Sequence, residues 1–262
     1  MNTQSISIVG SGNLAWHLAP ALDNMGYVVK EIYSQNPQHA RELTSRLYQA
    51  EVKASLDFST SLSKIFIIAV ADDAIQSIAQ EIILPEDAIL AHTSGSQPLS
   101  VLGYAATPNI AVIYPLQTFS KQKKVDFSKV PFFIESDTPI AERMLTRLAK
   151  SISNEVHRIG STERKALHVA AVFASNFTNH MLRMSRDLME ENNLNFDLLK
   201  PLITETLNKA LTLGPEKSQT GPAIRGDFEI LDRHYDFLQH DLAVAAIYKM
   251  ISQHIIDRYE VD

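Results

Sequence analysis

The stretch Ser5-Ile6-Ser7-Ile8-Val9-Gly10-Ser11-Gly12-Asn13-Leu14-Ala15 decides the fold of this chain. A short β-branched run leads into a Gly-x-Gly-x-x-Ala turn, and an apolar-periodic helix follows at once. In this pattern Gly10 permits the tight turn, Gly12 lets the backbone approach a pyrophosphate, and Ala15 lets the helix pack closely on the strand. The helix directs its free N–H groups and the positive end of its dipole at the phosphates. The stretch therefore predicts a dinucleotide site; the alternative is a tight turn that binds nothing.

The first 159 residues alternate strand-like and helix-like patterns. The runs at residues 65–70 and 88–91 are continuously apolar, which is typical of parallel strands covered by helices on both faces. Further strands are predicted at 27–33, 110–114, 131–135 and 155–158, and helices at 14–25, 38–48, 73–82 and 139–151. This order predicts an α/β Rossmann domain, doubly wound around a mainly parallel sheet, over residues 1–159.

From Ser161 onward the strand patterns end, and the sequence predicts an all-α C-terminal domain over residues 160–262. Its helices are expected at 162–192, 196–213, 228–239 and 241–259. The last helix is apolar nearly all round at residues 242–247, so it is expected to be buried within its own domain or against another subunit. We expect this domain to contribute to a substrate site and to pair two chains in a homodimer.

The composition excludes several classes of protein. The chain has 262 residues, a net charge of −6 and no cysteine, which rules out disulfides, thiolate catalysis and zinc–thiolate sites. No basic stretch is interleaved with aromatic residues, no apolar run reaches the roughly 18 residues of a membrane helix, and the start lacks a signal-peptide pattern. We expect a cytoplasmic protein with no nucleic-acid or membrane partner and no metal.

Ligands of an open α/β sheet bind beyond the carboxyl ends of the strands. Besides the Gly-rich turn, this rule selects the segments that follow the predicted strands. Among them, the hydroxyl side chains of Thr93 and Ser94 are suited to the nicotinamide amide or to a substrate, and Asp72 or Asp73 is expected to cap the next helix. The predicted cofactor residues are Gly10, Ser11, Gly12, Asn13, Leu14, Ser34, Gln35, Asn36, Val70, Ala71, Asp72, Ile75, Thr93 and Ser94.

The residues after the second strand bear on the choice between NADP and NAD. NAD-preferring domains usually place a carboxylate there, which binds the 2′-hydroxyl of the ribose. Ser34, Gln35 and Asn36 are neutral and would not repel a 2′-phosphate. Glu31 lies too early in the strand to serve NAD. The sequence therefore favours NADP over NAD, although no Arg follows the strand directly and Arg41 either reaches the phosphate or is only a surface charge.

Two polar side chains in the helical part are candidates for catalysis. His168, Val172 and Asn176 are spaced i, i+4, i+8, so they share one face of the predicted helix within an Ala-rich sequence. Buried polar groups of this kind need partners, since an unpaired one costs roughly 1–3 kcal/mol. The partner of His168 is either a substrate or a backbone carbonyl.

A second candidate is the segment Thr220–Asp227, where two glycines and a proline fix the backbone around Arg225. An Arg in this setting is suited to clamp a carboxylate or phosphate group of a substrate. Asp227 either orients Arg225 or caps the following helix. The alternative is an Arg–Asp pair that only holds two helices together.

With these motifs the chain resembles a bacterial family of Rossmann-like NADP oxidoreductases within the 6-phosphogluconate dehydrogenase superfamily. The N-terminal half is also similar to the NADP-binding domains of pyrroline-5-carboxylate reductase and F420-dependent NADP reductases. The resemblance covers essentially the whole chain, and its Gly-Pro-x-x-Arg-Gly-Asp segment is more specific than the Gly-rich turn. The family's motifs are found here at His92–Gly95, Pro115–Phe119, His168 with Ser175-Asn176, and Gly221–Asp227.

Together with these motifs, the sequence predicts hydride transfer between NADP and a small carbonyl or imine compound, with His168 as acid/base and Asn176 orienting the reacting group. Arg225 would hold an anionic part of the substrate, and Asp227 would fix Arg225. Many relatives in the superfamily use Lys-x-x-x-Asn on this helix, but Val172 stands where their lysine would be. Two alternatives therefore stay open: an enzyme with another electron partner, such as a deazaflavin, and a non-catalytic nucleotide-binding protein.

Overall fold

The computed structural model describes residues 4–260, and its centre is an eight-stranded sheet with the strand order β3-β2-β1-β4-β5-β6-β7-β8. All neighbouring strands are parallel except the antiparallel pair β6 and β7. The strands are β1 Ser5–Val9, β2 Val28–Tyr33, β3 Glu51–Lys53, β4 Ile65–Ile68, β5 Ile89–His92, β6 Asn109–Pro115, β7 Phe132–Ser136 and β8 Val156–Arg158. This confirms the doubly wound, mainly parallel sheet, to which the structure adds the short edge strand β3.

Helices cover both faces of this sheet. They are α1 Asn13–Asn24, α2 Pro37–Thr44, α3 Ile75–Glu81 and α4 Pro139–Ile152, with 3₁₀ turns at Asp72–Ala74, Leu99–Tyr104 and Phe127–Lys129. Ile65 and Ile67 belong to one buried cluster, while Phe66 and Ile68 belong to another. Because successive side chains of a strand point to opposite faces, the continuous apolar run fills a core on each side of the sheet.

The order of the strands determines where a ligand can bind. From β1 the chain moves through β2 to β3 at one edge, and then returns to place β4 on the other side of β1. The carboxyl ends of β1 and β4 therefore form the topological switch point, at which doubly wound sheets open a crevice. The Gly-rich turn follows β1 directly.

The described residues form two compact units, which divide between Asn176 and Phe177. Helix α5, Ser161–Ala171, belongs to the first unit, and a π-helical turn at Val172–Phe177 spans the division. This turn interrupts the single helix predicted at 162–192. The domain boundary expected after residue 159 stays a prediction.

The described residues of the second unit form helices joined by short turns, with a 3₁₀ turn at Phe196–Leu199 and no strand. Proline stands in the first turn of three of its helices, where its missing N–H costs nothing. Its helices are α6 Thr178–Glu191, α7 Lys200–Leu213, α8 Pro215–Ser218, α9 Pro222–Arg225, α10 Phe228–Phe237 and α11 Leu242–Arg258. Among residues 4–260, no helix is long and apolar enough to cross a membrane.

Candidate functional site

Gly10 is required by the packing of the strand ends. Its φ of +120° lies in a region that other residues rarely adopt, and its N–H donates a hydrogen bond of 2.7 Å to the carbonyl oxygen of Tyr33. A Cβ at this position would lie 2.2 Å from the carbonyl oxygen of Ala69. The absence of a side chain therefore lets the ends of β1, β2 and β4 meet.

Gly12 has a different role in the same turn. It is the N-cap residue of α1, with φ −71° and ψ −172°, a conformation open to any residue. A Cβ there would meet no atom closer than the Ala69 carbonyl oxygen at 4.0 Å. The fold does not need a glycine at this position; instead, the missing side chain leaves room beside the N-terminus of α1.

A cavity of about 970 Å³ opens at this turn, beyond the carboxyl ends of β1, β2, β4 and β5. All of the predicted cofactor residues except Ile75 line it. Ile75 is 1% exposed and packs in the core on one face of the sheet, because the first turn of α3 directs it inward. Lining residues that the sequence analysis missed are Tyr33, His39, Leu56, Ala69, Asp73, Ala74, Ser77, Ile78 and Glu81.

Polar contacts organise the part of the cavity that follows β2. The Ser11 hydroxyl donates to the Ser34 hydroxyl at 2.8 Å, and Asn36 caps α2 by accepting from the Gln38 N–H at 3.0 Å. Glu31 does not line the cavity. Its carboxylate accepts a hydrogen bond of 2.6 Å from Ser7, accepts another from Ser61, and lies 3.7 Å from the Lys53 ammonium.

The structure corrects the expected capping role of Asp72 and Asp73. Ala71 is the N-cap residue of the 3₁₀ turn, and neither this turn nor α3 has a side-chain cap. The Asp72 carboxylate instead accepts a hydrogen bond from the Ser96 hydroxyl. The 3₁₀ turn begins at Asp72, one residue earlier than the predicted helix, so Asp72 lies inside the turn and does not precede it. Its hydrogen bond with Ser96 links the segment after β4 to the loop after β5.

His168 has a side-chain partner in the first unit. Its Nδ1 lies 3.1 Å from the hydroxyl of Tyr114 near the end of β6, and the two rings meet edge to face. Burial raises the pKa of Tyr114, so the phenol stays protonated at neutral pH. A Cβ at Gly95 would lie 2.5 Å from the same Nδ1 atom. The loop after β5 therefore lies directly against this His–Tyr pair.

A second cavity of about 590 Å³ lies beside His168, within the first unit. Its walls are Leu116, Gln117, Thr118, Leu167, His168, Ala170, Ala171, Ala174, Ser175 and Asn176. His168 and Asn176 thus face one space, as their spacing predicts, but Val172 does not. The π-helical turn explains the difference, because its i→i+5 geometry brings Ala171 rather than Val172 to the face of Asn176.

Arg164, which no sequence pattern predicts as a site residue, holds the loop after β5 in place. The residue is 1% exposed. Its Nε and Nη2 bind Glu135 of β7 at 2.9 and 2.8 Å. Nη1 donates to the carbonyl oxygens of Ser94, Gly95 and Gln97 at 3.0, 3.2 and 2.8 Å. One guanidinium therefore fixes the loop that lines the first cavity at Ser94 and contacts His168 at Gly95.

His92 supports the same loop from the end of β5. Its ring is fully buried, and burial lowers the pKa of this imidazole to about 4. The Ser94 N–H donates to its Nδ1 at 3.1 Å. The ring is therefore neutral at physiological pH and acts as a fixed acceptor.

Arg225 and Asp227 form an ion pair in the second unit. Nε and Nη2 of Arg225 lie 2.9 and 2.7 Å from one carboxylate oxygen of Asp227. Asp227 precedes α10 but makes no side-chain cap. Of the two expectations for Asp227, orientation of Arg225 is observed and capping is not. The Arg225 side chain is 59% exposed, so its charge remains accessible.

The fold and the first cavity together define the class of protein to which this chain belongs. A parallel sheet, a glycine-rich turn at its switch point and a helix N-terminus facing the cavity characterise Rossmann dinucleotide-binding proteins. Residues 130–255 also match a family described as a domain of unknown function, DUF2520. A comparison with curated proteins finds no match.

Solved structures then give the family. The chain is 39% identical to the putative NADP oxidoreductase BF3122 from Bacteroides fragilis, over 97% of this chain and 98% of that one, with a TM-score of 0.88. It therefore belongs to the family of Rossmann-like NADP oxidoreductases that includes this protein.

More distant structures share the fold. Protein TM1727 from Thermotoga maritima is 23% identical with a TM-score of 0.72, over 97% of this chain and 98% of that one. A reductive aminase from Aspergillus terreus, in complex with NADPH and ethyl-5-oxohexanoate, is 10% identical with a TM-score of 0.73, over 98% of this chain and 95% of that one.

Proposed function

We propose that this protein is an NADP-dependent oxidoreductase that transfers hydride between the nicotinamide and a small carbonyl or imine compound. The observation that supports this most directly is the cavity of about 970 Å³ at the switch point of the sheet, with Gly12 open toward it. Family membership supports the same activity, since the relative at 39% identity is named as an NADP oxidoreductase.

The residues present fit such a cofactor. Gly12 leaves the space that a Cβ would fill, so the pyrophosphate would bind there against the N–H groups of α1. Ser34, Gln35 and Asn36 would bind the adenosine ribose, and Thr93 and Ser94 the nicotinamide amide. NADP supplies or accepts the hydride when bound. Holding the reacting carbons together contributes roughly 7–11 kcal/mol toward lowering the barrier.

His168 would move the proton that accompanies the hydride. The Tyr114 hydroxyl lies 3.1 Å from Nδ1 and would hold the ring by a hydrogen bond, which leaves Nε2 to exchange a proton with the substrate oxygen or nitrogen. In reduction the imidazolium would give up its Nε2 proton, and in oxidation the neutral ring would accept a proton there. Asn176, which lines the same cavity, would orient the reacting group. Arg225, fixed by Asp227, would hold an anionic part of the substrate.

The first test is cofactor binding. We expect NADPH to raise the melting temperature of the wild type more than NADH does, because a ligand that binds only the folded state stabilises it. Gly12→Val should abolish the shift, while the poorer N-cap residue should cost the free protein at most about 1 kcal/mol of stability. Gly103→Val is the matched control, since Gly103 is equally uncrowded but lies outside the cavity. No shift with either nucleotide at millimolar concentration would overturn the proposal.

Turnover separates an enzyme from a nucleotide-binding protein. A screen of small carbonyl and imine compounds with the preferred nucleotide should give turnover, and His168→Asn should lower kcat about 10²-fold or more while leaving NADPH affinity unchanged. His157→Asn, an exposed His in β8, is the control. Turnover with a reduced deazaflavin but not with NADPH would favour the alternative electron partner.

We also propose that the second unit pairs two chains. Among its described residues, the buried apolar side chains are only Ala223, Leu231, Leu238 and Ala245. Exposed large apolar side chains include Leu194, Leu198, Leu202, Leu207, Leu211, Leu213, Phe228, Ile230, Phe237, Leu242, Met250 and Ile251. Surfaces of this kind usually mark an interface. The final helix α11 contributes to the exposed surface instead of being buried within its own chain.

A further inference from the structure

The end of the cofactor cavity that follows β2 carries one feature that the proposed function does not use. His39, on the first turn of α2, lines the cavity and is exposed to it. In Rossmann domains this is where the 2′ position of the adenosine ribose binds, and the group that meets it decides between NAD and NADP.

His39 differs in charge from the other ionisable residues that line the cavity. The lining includes three carboxylates, Asp72, Asp73 and Glu81, but no lysine or arginine. Among the lining residues, His39 is the only one whose side chain can carry a positive charge. A 2′-phosphate at this end of the cavity would therefore meet one imidazole of the wall that can donate a hydrogen bond to it.

The contacts of Asn36 orient the His39 ring. Because the Oδ1 atom of Asn36 accepts from the Gln38 N–H at 3.0 Å, its Nδ2 faces the ring and lies 3.5 Å from Nε2 of His39. The His39 N–H in turn donates to the Asn36 carbonyl oxygen at 3.1 Å. With Nε2 facing a donor, the ring proton belongs on Nδ1, where it can donate to a ligand oxygen.

Glu31 and Arg41, two charged residues close to His39 in the sequence, do not line the cavity. Glu31, the one carboxylate of β2, is held by Ser7, Ser61 and Lys53 and does not line the cavity. Arg41 is absent from the cavity wall as well. Two positions along a helix correspond to a rotation of about 200°, so Arg41 and His39 point to opposite sides of α2.

We infer that His39 is the specificity-determining residue that binds the 2′-phosphate of NADP, in place of the arginine that the sequence lacks after β2. The inference rests on the proposed function, because it assumes that the cavity binds a pyridine nucleotide. The imidazole donates a hydrogen bond from Nδ1 to an oxygen of the phosphate.

The test uses 2′,5′-ADP and 5′-AMP, which differ only in the 2′-phosphate, together with NADPH and NADH. Dissociation constants are measured by calorimetry for the wild type, His39→Ala, His39→Glu and the control Arg41→Ala. We expect His39→Ala to weaken NADPH and 2′,5′-ADP about tenfold and to change NADH and 5′-AMP less than twofold. His39→Glu should reverse the preference, because a carboxylate repels the phosphate and accepts from a ribose hydroxyl.

Arg41→Ala should leave all four constants unchanged. Equal losses for the phosphorylated and unphosphorylated ligands in His39→Ala would overturn the inference, since they would indicate a structural role for the ring. Loss of the preference in Arg41→Ala would assign the phosphate to Arg41 instead. A wild type that binds neither NADPH nor NADH would refute the proposed function itself, so the two failures are distinguishable.

Discussion

Two glycines of one turn obey different constraints. Gly10 is fixed by the protein, because a Cβ there would collide with the carbonyl oxygen of Ala69 at 2.2 Å. Gly12 has no such neighbour and faces the cavity, so a ligand is the better explanation for the missing side chain. The sequence motif assigns Gly10 to the turn and Gly12 to the ligand, but it does not reveal the contact that fixes Gly10, because Ala69 lies 59 positions away in the sequence.

His92 makes stability depend on pH in a defined direction. Its pKa is about 4 in the folded protein, against about 6.5 for an unperturbed His, because the buried ring disfavours the charge. As the pH falls from 6.5 toward 4, the unfolded chain takes up the proton first, and the free energy of unfolding decreases. Between pH 7 and 4.5 this residue should account for a loss of about 2–3 kcal/mol.

Urea unfolding at these two pH values measures the effect. His92→Asn should be less stable than the wild type at pH 7, because it leaves a cavity, yet should lose less stability on acidification. His157→Asn, which removes an exposed ring, should follow the wild type. Equal losses in the wild type and His92→Asn would show that His92 does not cause the dependence.

At the scale of elements, the predicted strands and helices of the first unit are mostly confirmed, because their apolar periodicity is local. The exceptions have physical causes. Strand β3, Glu51–Lys53, has only three residues and no buried side chain, so it shows no apolar pattern. The π-helical turn at Val172–Phe177 depends on hydrogen bonding that sequence periodicity does not reveal.

The candidate site likewise contains residues that the sequence predicts and residues that it does not. The cofactor segments were predictable because each follows a strand, and the rule for open sheets needs only the strand order. Arg164 and Tyr114 were not predictable, because their partners are distant in the sequence: Arg164 binds the carbonyl oxygens of Ser94 and Gln97, and Tyr114 contacts His168. An Arg in the first turn of a helix gives no sign that it will be buried.

Helix α5 positions the loop after β5 through Arg164, and this coupling can be tested. Arg164→Met leaves the Glu135 carboxylate without its cation, so we expect the free energy of unfolding to fall by about 3–5 kcal/mol. Affinity for NADPH should fall, while affinity for 2′,5′-ADP, which does not reach this loop, should not. Unfolding curves and calorimetry measure the two effects.

Arg186→Met is the control for Arg164→Met. It breaks an exposed i,i+4 ion pair with Glu190, so the free energy of unfolding should fall by at most about 0.5 kcal/mol. If Arg164→Met weakened both ligands alike, the guanidinium would support the whole fold and not the loop in particular.

At the scale of the whole molecule, the two units differ in how they are stabilised. The first has a core on each face of its sheet. The second fully buries only four apolar side chains among its described residues and leaves many large apolar side chains exposed. A surface that must be covered in solution explains this contrast, and a second copy of the chain is the partner that we propose.

Sedimentation equilibrium tests the homodimer. The wild type should sediment at twice the 29.2-kDa mass of the chain. Leu207 and Leu211 lie one turn apart on α7 and are 46% and 87% exposed, so the double substitution Leu207→Glu/Leu211→Glu should shift the protein to the monomer by placing charges in the interface. Leu62→Glu makes the same change at a 79% exposed position of the first unit and should leave the mass unchanged. A wild type that sediments at 29.2 kDa at high micromolar concentration would refute the dimer, and the exposed apolar side chains of the second unit would then need another partner.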